Sequence, residues 1–199
     1  MNRNKKRDIQ RKVKEISQNN ATKDRDSIVP TDLDSILERE QIDLRLVDED
    51  FIRGALRKKG DDTEHSIDGV FLYNVSISEG RNHTIIINRE LYEASRRRAR
   101  FTIAHELGHY FLHGVSLDGR IVDPKFMSRT NDYSQSERVE EMEADQFAFE
   151  LLMPEEDVHK IIRLFDKVMS FEYLIDFLAK LFDVSLNTAR RRVNSLDRC

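Results

Sequence analysis

Cysteine is all but missing: the one copy, Cys199, stands at the final position with no second thiol to pair with. A disulfide framework is thereby excluded, which fits a reducing compartment and makes the cytoplasm the expected location. Zinc sites built on thiolates are excluded by the same count, so any metal has to rest on histidine and carboxylate. No apolar run approaches the roughly 18 residues from which a membrane-spanning helix is read, and no membrane partner is expected. The basic opening MNRNKKRDIQRKVKE leads into no apolar segment, so it does not read as a secretory signal. A charge excess is missing as well. With a formal net charge of -4, the chain carries no overall field that would gather nucleic acid.

What is present fits a single globular core. Of 199 residues, 39% are hydrophobic and 35% charged, enough to bury one real core under a well-solvated surface. In the basic first stretch, Ile9, Val13 and Ile16 recur at i, i+4 and i+7, the spacing of a thin amphipathic helix. Pro30 and Thr31 read as a helix start, with Thr31 as the N-cap. IDLRLV (42–47) alternates as a strand does, and DGVFLYNVSI (68–77) and HTIIINR (83–89) read as two strands of a hairpin around SEGRN. Helical periodicity starts after Ser95 and reaches Gly114, a plausible residue for closing the helix. A loop of about twenty residues follows, a length expected to line or cover a site. A second helix spans about 136–153 and stops at Pro154. The remainder reads as helical.

The first of these helices carries HELGH, His105 to His109. Helical positions i and i+4 share a face, about 6 Å apart along the axis. Two imidazoles there can converge on one zinc at about 2.0–2.1 Å. Glu106 points to the side of that face, where a carboxylate can take a proton from water and pass it to a leaving amine. Ile103, Leu107, Tyr110 and Phe111 cover the other side, so the helix is expected to be buried. Gly108, costly inside a helix, leaves room for another backbone or a substrate to come close. His113 lies about 12 Å along the axis from His105, too far to share its ion, and reads as a capping or packing residue.

A catalytic zinc site expects a third protein ligand. In SERVEEMEADQFAFELLMP, a helical wheel puts Glu141 on the packed face with Ala144, Asp145, Ala148, Leu151 and Leu152. Glu143, Gln146 and Glu150 fall opposite, toward water. Glu141 is therefore the expected third ligand, with Glu143 the alternative, and Asp145 is placed to accept the outer N–H of a ligating histidine. Tyr133, in the long loop, is a candidate for stabilising an oxyanion. LAKLFDVSLNTARRRVNSL has the spacing of two short helices around 183–185, similar to a helix-turn-helix, with Arg190, Arg191 and Arg192 on the second. Direct nucleic-acid contact through these arginines is weighed and ranked below a plain helical appendage. Arg96, Arg97, Arg98 and Arg100 open the HELGH helix, the end where its dipole disfavours positive charge, and are expected to pair with acidic groups of the chain or of a substrate.

RFTIAHELGHYFLH, followed some thirty residues later by EMEADQFAFELLMP, resembles the ImmA/IrrE family of metallopeptidases over about residues 30–155. The resemblance implies an α+β fold with a small, gluzincin-like zincin core: a short β-sheet packed on an active-site helix and a glutamate helix. A C-terminal helical appendage follows. Composition and pattern on either side of the resemblance divide the chain into a basic, partly disordered arm (1–29), a zincin-like metallopeptidase domain (30–155) and a C-terminal helical region (156–199). The resemblance maps Zn²⁺ onto His105, His109 and Glu141, and the general base onto Glu106. It further implies a protein substrate, a DNA-binding repressor of the helix-turn-helix kind, whose cleavage controls genes of a mobile element or a stress response. The competing expectation is a non-proteolytic transcription regulator, or a toxin–antitoxin-like partner, that binds zinc structurally.

Overall fold

The computed structural model describes residues 2–18, 28–52, 68–72, 82–113, 135–165 and 167–196. The β-branched runs form one three-stranded sheet, β1 (Ile42–Val47), β2 (Gly69–Leu72) and β3 (His83–Asn88), in the order β1-β3-β2. β3 runs parallel to β1, with Ile42 opposite His83 and Val47 opposite Asn88. It runs antiparallel to β2, with Gly69 opposite Ile87, the pairing expected of a hairpin. All six residues of β3 are buried, as a central strand covered on both faces requires.

Helices account for the rest: α1 (Arg3–Gln18), α2 (Leu33–Arg39), α3 (Arg89–Ala94), α4 (Arg96–His113), α5 (Gln135–Leu152), α6 (Glu155–Phe165), α7 (Phe171–Leu181) and α8 (Leu186–Ser195). α4 packs on β2 and β3 with one flank and on α5 with another, and α1 lies against α5. This is the α+β, zincin-like arrangement of a short sheet, an active-site helix and a glutamate helix, followed by a helical appendage. Among the described residues, no helix is long and apolar enough to cross a membrane.

Local chemistry explains the boundaries. The cap of α2 is Asp32, one residue later than expected, because its carboxylate accepts from Ser35 N while Thr31 turns inward and donates to Leu151 O at 2.6 Å. Asn88 ends β3 and caps α3 through Glu90 N. Ser170 and Ser185 cap α7 and α8. Residues 3–18 form the amphipathic helix that the spacing of Ile9, Val13 and Ile16 predicts, with all three buried in the main core. The arginines at the start of α4 tie it to its surroundings. Arg97 donates to Asp183, Arg98 to Asp68, and Arg100 to the carbonyl oxygens of Thr31 and Asp183.

Candidate metal centre

α4 and α5 meet where α4 has no side chain. A Cβ on Gly108 would lie 2.9 Å from Ala144 Cα and 3.0 Å from Ala144 O, so the neighbour that the glycine admits is the backbone of α5. Ala144 stands between Glu141 and Asp145 on that helix. The close approach brings both acids to the histidines of α4.

The four side chains converge accordingly. His105 Nε2 lies 3.1 Å from His109 Nε2. Glu141 places Oε2 3.2 Å from the first and Oε1 3.3 Å from the second. His105, His109 and Glu141 thus form a group able to hold a metal ion. Four donors around zinc at about 2.0–2.1 Å, set tetrahedrally, would be about 3.3–3.4 Å from one another. The spacing of the two imidazole nitrogens is close to one edge of such a tetrahedron, and each Glu141 oxygen lies beside one of them, so the residues fit the metal in kind and in proximity.

The outward ring nitrogens are occupied as well. His105 Nδ1 lies 3.0 Å from Asp145 Oδ1, and Asp145 accepts on its other oxygen from Arg191 Nη2 at 2.6 Å. His109 Nδ1 lies 3.2 Å from His113 Nδ1, and His113 Nε2 lies 3.1 Å from Glu143 Oε2. Lys5 of α1 reaches the same Glu143 oxygen at 2.9 Å. With a cation in place of the inward protons, the Asp145 carboxylate would keep the remaining proton of His105 on Nδ1 and leave its Nε2 to the ion.

Charge follows the same design. Burial works against a charged His105, but hydrogen bonds to Asp145 and Glu141 outweigh it and carry the imidazole pKa up to about 10. Burial also works against the Glu141 carboxylate, yet the bonds from His105 and His109 bring it down to about 2. For Asp145 the bonds from His105 and Arg191 likewise overcome burial and lower the pKa. A pocket that raises a base and lowers its acids in this way is one that stabilises positive charge at its centre.

Glu106 is buried next to His105, and its charge adds to the pull on that imidazole. One expectation needs correction. Glu143 and Glu150 do not face water; both are buried, since α5 is covered on that side too. Glu143 is engaged by Lys5 and His113, and Glu150 by Arg192 Nη2 at 2.6 Å. His113, expected to cap or to pack, packs against His109 and bridges it to Glu143, and the signal for that bridge was its i+4 spacing from His109. The α8 arginines are turned inward or along the surface of the protein itself: Arg190 pairs with Glu172, Arg191 with Asp145, and the fully buried Arg192 with Glu150. Tyr133 and the long loop lie outside the described residues.

Compared with known families, residues 39–194 match the model of the Peptidase M78 family, the IrrE N-terminal-like domain. No curated protein matches the chain significantly.

Proposed function

Because the chain belongs to the IrrE N-terminal-like peptidase family, we propose that it is a zinc-dependent endopeptidase, held together at its centre by His105, His109 and Glu141. The observation that carries this reading is the triangle of 3.1, 3.2 and 3.3 Å between the three donor groups. Asp145, backed by Arg191, holds His105 in the required tautomer. Bound zinc supplies a Lewis acid that polarises a scissile carbonyl and acidifies water. Glu106, next along the helix from His105, accepts the proton of the attacking water and returns it to the departing amine. Its burial keeps competing solvent away from that proton.

The substrate of this reading is a regulatory protein such as a helix-turn-helix repressor, cleaved in the cytoplasm to release genes of a mobile element or a stress response. Support for the substrate is the family resemblance; support for the cytoplasm is the lack of any pair of cysteines. Nucleic acid is not the favoured partner, since Arg190, Arg191 and Arg192 are each engaged by a carboxylate of the same chain.

The test uses zinc-loaded wild type and Glu106→Gln, each incubated with a helix-turn-helix repressor encoded beside it. Cleavage by the wild type alone, with zinc retained in both, is the expected result. Equal processing by the two proteins would sink the peptidase reading and favour a regulator that uses zinc structurally.

A further inference from the structure

α4 carries a third histidine that is too distant to bind the ion, yet its ring meets the ring of a proposed ligand. The centroids of His109 and His113 are 5.3 Å apart, with the two Nδ1 atoms 3.2 Å from each other. Two facing nitrogens can share only one proton, so one ring donates and the other accepts. The far side of His113 decides which. Its Nε2 faces the Glu143 carboxylate at 3.1 Å, and a carboxylate can only accept. His113 therefore carries its proton on Nε2 and offers a lone pair at Nδ1. His109 must then carry its own proton on Nδ1, which leaves its Nε2 bare toward Glu141 and His105.

We infer that His113 is a positioning residue for His109, the first link of a relay that runs through Glu143 to Lys5 of the N-terminal helix. The relay rests on the metal-site reading given above. Every hydrogen-bonding position along it is matched: Lys5 donates to Glu143, Glu143 accepts from His113, and His113 accepts from His109. It also mirrors the other ligand, whose outer nitrogen is held by Asp145 and, behind it, Arg191 of α8. Without the relay His109 could carry its proton on the inward nitrogen or rotate away, and either change takes a donor from the ion. Partners of this kind typically contribute about 10- to 100-fold in metal affinity.

The experiment is a zinc titration against a competing chelator, with thermal unfolding of each metal-free protein in parallel. Three proteins are compared: wild type, His113→Leu and His113→Asn. Leucine removes the acceptor. Asparagine keeps an oxygen near the position of Nδ1 but cannot span to Glu143. The expected result is zinc affinity weakened about 10- to 100-fold in the leucine variant and largely restored in the asparagine variant, although both lose the bond to Glu143. Affinity in His113→Leu equal to wild type would overturn the relay while leaving the metal site standing. Equal weakening in both variants, tracking a shared loss of thermal stability, would assign His113 a structural role only and also overturn it. A wild type that takes up no zinc would overturn the metal-site reading, and this inference with it.

Discussion

Gly108 and Ala144 stand so close that a single methyl group on the former would lie 2.9 Å from the Cα of the latter. This contact limits how closely the helix of the histidines and the helix of the glutamate can approach. Gly108→Ala is accordingly expected to destabilise the fold, since overpacking costs about 1–3 kcal/mol against the roughly 1 kcal/mol gained from helix propensity. It should also weaken zinc binding by moving Glu141 outward. Denaturant unfolding and zinc titration of the variant check both. Full affinity in a destabilised protein would mean that the spacing of the ligands does not depend on this contact.

Glu141 and Glu143 lie two residues apart and have different neighbours: the first meets His105 and His109, the second Lys5 and His113. Glu141→Ala is expected to abolish stoichiometric zinc, because it takes away one of the three converging donors. Glu143→Ala should still bind one zinc per chain at saturating metal, with affinity reduced about 10- to 100-fold. Elemental analysis of both variants after gel filtration decides. The reverse pattern would exchange the two roles.

Glu106→Gln should keep metal and fold and lose turnover by about 10²- to 10⁴-fold, the usual contribution of a positioned proton acceptor. The check is single-turnover cleavage with metal content measured on the same sample.

Arg192 is fully buried, with Nε donating to Met153 O at 2.9 Å and Nη2 to Glu150 at 2.6 Å. Removing one partner of such a pair leaves an uncompensated charge, at a cost of about 3–5 kcal/mol. Arg192→Met should show a loss of that size in chemical denaturation, and Arg192→Met combined with Glu150→Gln should recover part of it. A single variant as stable as wild type would show that Glu150 simply takes up a proton or finds water.

His83 opens β3 in a buried position, its ring 5.3 Å from that of Tyr110. Burial pushes its pKa below the ordinary 6.5, with Glu40 opposing in part. The folded state therefore prefers the neutral ring. The stability this supplies is complete above pH 6.5 and is lost as pH falls from there through the folded pKa. Stability measured between pH 8 and pH 5 should fall less steeply in His83→Phe than in wild type, and identical slopes would remove His83 from the account.

Much of this was legible in the chain. Period-two alternation marked β1 and a β-branched run marked β3, and the limits expected for the HELGH helix and the glutamate helix lie within a residue or so of those found, with Ser95 before the first and Pro154 after the second. The wheel placed Glu141 and Asp145 together, and the structure has them on His105. What could not be read was the second cover of α5. A wheel assumes one buried face, whereas α1 and α8 close over the other, so that Glu143 and Glu150 are buried with cations supplied from distant sequence. His113 was ruled out as a ligand on distance, and the same helical geometry that ruled it out puts it one turn beyond His109. The run of three arginines in α8 shows one sign of charge to the reader of the sequence, yet consecutive helical positions point in different directions, and only Arg192 points into the core.

The outer partners of the two histidines are distributed along the whole chain: Lys5 near its start, Asp145 past its middle, and Arg191 another 46 positions on. A ribosome releases these in order, so Lys5 leaves the tunnel before His105 and His109, whereas Asp145 and Arg191 leave it after them. A product cut short before α8 would therefore present Asp145 without the cation that Arg191 supplies.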